Sequence, residues 1–552
     1  VSLLTDVMIG GGPVFDGRQV LPEGTWIGVV DGHIADIGTA DDVRETVGPA
    51  AERLDLHGRL LHPGFTDAHI HALSAGVDRN GCDVSDVDGR AETLAAIAAY
   101  ARTSDRPWIV GSGWSMADFP GGCPTAAELD TILPDRPAFL LNRDHHGAWV
   151  NTAALTLAGI DAQTPDPIDG RIERDAAGVA VGTLHEGAMD LVSRLVPPTT
   201  FDEALAGLRT AQSYLHGFGI TGWQEAIVGD YPGMTDLAAA YRSAEASGEL
   251  TATVVGASWL PRPTTLAAVP EVVAGFVAAA RAADGPRWSA RSVKIMVDGV
   301  VENRTALMGE PYVGSCSCAP EYGLGYFDDE ILRAAVVACD GAGLDVHFHA
   351  IGDAAVTAAL DAVTTARRVN GITPGRHHIA HLQFVRPADL PRFARLGVTA
   401  NMQALWACVE DQLTELVAPI VGPERMGWHY PFASIEAAGA DLAMGSDWPV
   451  SSPDPWAAIS VAVNRVEPGL DPATTAPLVG SEALTLRSCL TAYTHGSAVL
   501  NRRRNGGLLR IGSSADFAVA DRDPFLLEPK DLYDVRTDLT VAEGRVVHER
   551  TR

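Results

Sequence analysis

The chain of 552 residues is 46% hydrophobic and 20% charged, long enough for a domain of roughly 250 residues or more plus additions. Its 41 basic against 70 acidic residues leave a net charge of −29, which disfavours nucleic acid and anionic membrane, since both select clustered Lys and Arg. No run of about 20 apolar residues is free of charge or Gly/Pro punctuation, so no transmembrane helix is expected.

The opening "VSLLTDVMIGGGPVFDG" has an early aspartate and then turns, and reads as mature folded sequence rather than a targeting leader. Through residue 60 the chain carries short β-branched runs broken by Gly and Asp-Gly, as in "TWIGVVDGHIADIG". The far end has the same texture, in "GGLLRIGSSADFAVADRDP" and "DLTVAEGRVVHER". Residues 1–60 plus 500–552 are therefore expected to form one small β-sandwich.

Between these ends, residues 61–499 alternate short apolar runs with helical, often Ala-rich stretches. The runs at 58–67, 219–226, 251–258, 292–299, 344–350, 377–383, 397–403 and 441–447 fit buried parallel strands. Stretches such as "DDEILRAAVVACDGAG" and "AAVTAALDAVTTARRV" fit the helices between them. This is the pattern of an α/β fold of the (β/α)8 TIM-barrel type. The span between the first and second strands far exceeds a normal βα connection, so residues 75–210 are expected to be an inserted subdomain covering the barrel mouth.

The seven cysteines are odd in number and scattered, which points to a reducing, cytoplasmic setting without a disulfide framework. Cys316-Ser-Cys318 lacks the second pair a zinc site would need. Arg502-Arg503-Arg504 is short, and reads as a solvated turn.

Polar residues stand out where the expected strands end. In "PGFTDAHIH" (63–71), His69 and His71 are two apart and point the same way, behind Asp67. Strand four carries Lys294, strand five His347 and His349, strand six His381 and strand eight Asp447. Barrel enzymes place their chemistry at these C-terminal ends, and a buried strand rarely holds an unpaired lysine.

The segments "PGFTDAHIH", "VKIMVDGVVENRTA" (293–306), "HAIGDAAV" (349–356), "HIAHLQFV" (378–385), "GSDWPV" (445–450) and "GSSADFAVADRDP" (512–524) resemble the metal-dependent amidohydrolase superfamily. With "NRDHHGAWVNTAAL" (142–155) and "GTLHEGAMDLV" (182–192), the resemblance narrows to the type-3 branch that includes N-substituted formamide deformylases. It implies one divalent metal, zinc by preference, on His69, His71 and Asp447, and a second on His349 and His381. Lys294, carbamylated by CO2, would bridge them. It further implies hydrolysis of a non-peptide C–N bond (amide, formamide or cyclic amide) in a small molecule. A metal-activated hydroxide would attack, Asp447 would shuttle the proton, and the metal or a positioned donor such as His146 would polarise the carbonyl. Trp114, Glu186, Asp298 and Arg304 become candidate substrate contacts. The expected partner is the small-molecule substrate, and a homodimer is compatible with the sequence.

Plainer readings stand beside these. Lys294 would form a buried ion pair with Asp298, and without CO2 on it a one-metal site remains. Glu186 would be a lid residue, a structural carboxylate or a substitute bridge. His146 would sit in a satisfied loop, and Arg304 would brace the turn after strand four. His347 competes with His349, while His377 and His378 read as supporting or surface groups. Two rival functions remain: a deaminase of the same superfamily releasing ammonia, and a non-catalytic scaffold or regulator.

Overall fold

The computed structural model describes residues 3–229, 236, 238–315, 318–503 and 506–551. Cys316 of the C-x-C pair and Arg504 of the basic run lie outside them. Eight strands form one all-parallel sheet in chain order: Phe65–Ile70, Ile220–Val228, Thr253–Trp259, Trp288–Met296, Asp345–Ala350, His378–His381, Thr399–Met402 and Leu442–Met444. All six residues of Asp345–Ala350 are buried, as expected for a parallel strand covered on both faces. The sheet is a nearly closed barrel. Its last gap is laced by the loop after the eighth strand, where Asp447 N donates to His69 O (2.7 Å) and His71 N to Trp448 O (2.9 Å).

Helices cover the barrel. In Asp353–Asn370, Ala355, Ala359, Ala362 and Ala366 fall on one stripe and are fully buried, since alanine lets a helix approach the sheet closely. The expected helix near 328–343 is found at Asp329–Gly341.

Two four-stranded sheets draw on both ends of the chain. One contains Val7–Gly10, Trp26–Val30, His33–Gly38 and Glu52–Asp55; the other contains Leu61–Pro63, Phe517–Ala520, Thr537–Ala542 and Arg545–Glu549. Ile9, Ile27 and Val29 share one apolar core with Leu61, Phe517 and Val541. Leu61–Pro63 pairs antiparallel with Phe517–Ala520, so the run expected as the first barrel strand is divided between two sheets. Gly64 makes the division possible. A Cβ there would stand 2.3 Å from Thr221 Oγ1, closer than any side chain tolerates.

Between the first two barrel strands lies a six-stranded mixed sheet of Cys82–Asp83, Ile109–Trp114, Ala138–Asn142, Gly147–Val150, Gly170–Arg174 and Ala180–Glu186. The chain leaves the barrel along helix Ala72–Arg79 and returns along helix Phe201–His216. They touch backbone to backbone at Gly76 and Gly207, where a Cβ on Gly76 would lie 2.0 Å from Gly207 O. This neck ties the two ends of the excursion together.

Cys82, Cys123, Cys339, Cys408 and Cys489 are free thiols, whereas Cys318 is disulfide-bonded. The sequence reading expected no disulfide framework, and among the described residues Cys318 is the single bonded cysteine. Among the described residues no helix is long and apolar enough to cross a membrane.

Candidate active site

At the C-terminal ends of the barrel strands a cavity of about 360 Å³ opens, lined by His69, His71, Lys294, His349, His381 and Asp447. His69 closes the first strand and His71 follows it at the start of the next helix, so the two imidazoles flank one position. Asp447 arrives from the loop after the eighth strand, with Oδ1 3.1 Å from His69 Nε2 and 3.3 Å from His71 Nε2. The ligand atoms of these three residues lie within 4.8 Å of one another. His381 Nδ1 stands 3.8 Å from Asp447 Oδ2, and the His349 ring lies 4.3 Å from that of His381. Both His381 (φ 77°) and Asp447 (φ 57°) adopt the left-handed backbone region, a strain typical of functional positions.

The electrostatics suit a cation. Burial, then the charge of Lys294, pushes His69 down to about 3, and burial holds His349 and His381 well below the ordinary histidine value. These imidazoles are neutral, the form that ligates metal. Burial alone would raise the Asp447 carboxyl, but His69 and the neighbouring imidazoles outweigh it and hold it well below the usual carboxylate range. Lys294 is 2% exposed, and burial lowers its amine to about 7.

His69 Nε2, both nitrogens of His381 and Asp447 Oδ1 are buried without a hydrogen-bond partner. Native proteins leave few buried polar atoms unpaired, and unpaired His69 and Asp447 atoms within one compact ligand group suit a divalent cation. The residues fit a metal. The tight group is a candidate for one ion, and His349, His381 and Lys294 line the cavity beside it.

Neighbouring residues fix this set. His347 Nε2 is 2.7 Å from His69 Nδ1, which leaves His69 Nε2 to face Asp447. Asp67, pushed up to about 7 by burial, accepts from His69 N and Ser446 N (both 3.0 Å) and so joins the first strand to the last loop. Trp406 stacks on His381 with centroids 5.6 Å apart and planes 4° apart. His377 and His378 are buried rather than at the surface: His377 pairs with Asp340 (2.9 Å) and the His378 ring sits 4.2 Å from His347.

The inserted sheet supplies the opposite wall through the hairpin after Ala138–Asn142, where Arg143, Asp144, His145 and His146 face the cavity. His146 Nδ1 is 2.7 Å from Glu186 Oε1, and the His146 ring lies 5.6 Å from His349. Burial would lower His146, but the Glu186 carboxylate outweighs it and raises it above the usual value. Glu186 in turn receives Arg262 Nη2 (3.2 Å) and Thr305 Oγ1 (3.1 Å).

The four expected substrate contacts do not line the cavity. Trp114 is fully buried in the inserted sheet, donating from Nε1 to Leu140 O (2.8 Å). Glu186 acts on His146. Asp298 accepts from the backbone N–H groups of Leu307 (2.8 Å), Ile351 (3.0 Å) and Gly352 (2.8 Å), so its oxygens brace loops instead of meeting Lys294. Arg304, turned by φ 57°, pairs with Glu321 (3.0 Å) at the surface.

The sequence reading overlooked Glu302, Glu410 and Gln412, which line the cavity beside Arg143. Gln412 Nε2 donates to Glu302 Oε1 (2.9 Å), and burial followed by the charge of Glu302 raises Glu410 to about 7. Glu302 sits two residues before Arg304 in the quoted motif, and only the turn geometry decides which of the two faces inward.

Residues 52–548 match the model of the type-3 amidohydrolase family. The chain belongs to the amidohydrolase family. It is 30% identical over 529 residues to YtcJ of Bacillus subtilis, spanning 95% of this chain and 96% of the relative. It is 27% identical over 553 residues to an N-substituted formamide deformylase of Arthrobacter pascens, spanning 95% and 94%. An uncharacterized metal-dependent hydrolase from Pyrococcus horikoshii has the same fold, with a TM-score of 0.72 at 24% identity over 95% of this chain and 99% of that one. The amidohydrolase family is metal-dependent, and His69, His71 and Asp447 form a candidate metal-binding group.

Proposed function

We propose that this amidohydrolase hydrolyses a non-peptide C–N bond of a small molecule, an amide, formamide or cyclic amide. The observation that carries the reading is the convergence of His69, His71 and Asp447 ligand atoms within 4.8 Å of one another at the mouth of the barrel cavity. A divalent metal, zinc by its nitrogen and oxygen donors, would be held by His69, His71 and Asp447. When bound it supplies Lewis-acid polarisation of a carbonyl and acidifies water.

The chain's own groups do the rest. Asp447, anionic and within reach of the same point, takes the proton of the attacking water and returns it to the leaving amine. His146 Nδ1 is engaged by Glu186, so Nε2 is the atom left to donate to the substrate carbonyl oxygen. With Nδ1–H donating to the carboxylate, Nε2 carries a proton only in the imidazolium, the form Glu186 favours. Addition of CO2 to the Lys294 amine would give an anionic carbamate between the two ligand sets, completing a second position with His349 and His381.

The compactness of the His69/His71/Asp447 group also favours a second reading, a one-metal deaminase acting on an amidine-like carbon. Offering N-formyl amines, N-acyl amines and cyclic amidines to zinc-loaded protein separates the two. Release of formate or another carboxylate with the free amine supports amide hydrolysis, ammonia alone supports deamination, and no turnover on any class contradicts both.

A further inference from the structure

The inserted sheet carries a second cluster of metal-ligating side chains that the barrel chemistry does not use. Cys123, Glu173 and His185 come from three chain segments, and their ligand atoms lie within 4.8 Å of one another. A tetrahedral zinc site places its ligand atoms roughly 3.3–3.8 Å apart, so small side-chain adjustments suffice.

The local fold assembles the three. Gly170–Arg174 and Ala180–Glu186 are antiparallel neighbours in which Arg171 faces His185, so Glu173, two residues on, shares that face. A register shift between Ile172 and Arg174 falls at Glu173 and re-aims it, a recurrent use of bulges. Cys123 follows the turn Pro120–Gly122, and this turn is tied to the same strand by Thr183 Oγ1 donating to Pro124 O (2.6 Å).

His185 is the decisive member. It is 1% exposed, Nε2 stands 3.2 Å from Glu173 Oε1, and Nδ1 has no hydrogen-bond partner. Fully buried ring nitrogens are seldom left unpartnered in native structures. Arg171 Nε donates to Glu173 Oε1 (2.7 Å), anchoring the carboxylate as outer partners of metal ligands do.

We propose that Cys123, Glu173 and His185 form a second metal site, distinct from the barrel cavity, for a borderline-soft divalent ion of the zinc class. A thiolate with an imidazole selects zinc over magnesium or calcium, and water completes the fourth position. Burial raises the Cys123 thiol to about 11, so the thiol is protonated before the ion arrives. Binding therefore breaks the S–H bond, forms an S–metal bond and releases one proton to solvent. His185 binds through a nitrogen lone pair and Glu173 as the carboxylate already present.

Cobalt reports the site independently of turnover, because only a cysteine ligand gives a thiolate-to-cobalt charge-transfer band, and the barrel group offers nitrogen and oxygen donors alone. The full chain is stripped with a chelator under reducing conditions and reloaded with Co²⁺. The proposal expects the band in the wild type and its loss in both Cys123→Ser and His185→Gln. Each variant should bind one equivalent less metal and keep its native circular dichroism. Absence of the band in the wild type, or its survival in either variant, overturns the proposal. Neither outcome depends on whether the barrel site is hydrolytic.

Discussion

The barrel ligand group and His146 on the inserted wall treat their polar atoms in opposite ways. On the barrel side, His69, His381 and Asp447 present buried atoms with no hydrogen-bond partner. On the inserted side, His146 is held by Glu186, which is itself held by Arg262 and Thr305. The first arrangement leaves coordination to be completed by a ligand. The second spends its hydrogen bonds on fixing one ring and setting its charge. On the proposed reading, one wall binds an ion and the other orients a donor.

The largest expected effect comes from breaking the open wall. Asp447→Asn keeps a ligand oxygen but loses the base, so turnover should drop roughly 10²–10⁴-fold while metal is largely retained. Steady-state kinetics with metal analysis of the same sample checks both parts. Substantial residual activity removes the proton-shuttle role.

The His146–Glu186 pair should be more forgiving. His146→Ala should lower kcat roughly 10²-fold, as loss of one donor to a developing oxyanion does. Glu186→Gln should act through His146, and the direction follows from the charge. Glu186 raises the His146 pKa, so the imidazolium persists to higher pH in the wild type. Removing that carboxylate lets the pKa fall, and the alkaline limb of the kcat profile should move to lower pH. A limb that stays in place contradicts the pairing.

The neck tests whether the two walls are mechanically joined. Gly76→Ala drives a Cβ against Gly207 O, and overpacking of this kind costs about 1–3 kcal/mol in denaturant unfolding. The smallest effect belongs to Arg304→Ala. Its partner Glu321 is exposed, so stability should change by about 0–1 kcal/mol and KM should not move.

The same contrast explains what the sequence disclosed. Strand ends are legible because alternation fixes side-chain direction over two or three residues, so His69, His349 and His381 line the cavity from their strands and His71 from the residue just after the first strand. Lys294 stands out because a lysine in an apolar run is rare. Loops carry no such period. Arg304 and Glu302 are separated by one residue, and a left-handed turn sends the former to the surface. Asp298 has the composition of a substrate contact, yet three backbone N–H groups claim its oxygens. Trp114 belongs to the core of the inserted sheet, whose existence the long spacing indicated but whose strand order it did not. The first barrel strand was misjudged at its start because Leu61–Pro63 and Phe65–Ile70 form one continuous apolar run, divided only at Gly64.

The most direct test counts metal. Protein purified with zinc present and freed of loose ions should carry at least one equivalent at the barrel mouth. The double variant His69→Ala/His71→Ala should lose one equivalent while keeping the native circular dichroism spectrum. A double variant that binds as much metal as the wild type would contradict the assignment of these histidines as ligands.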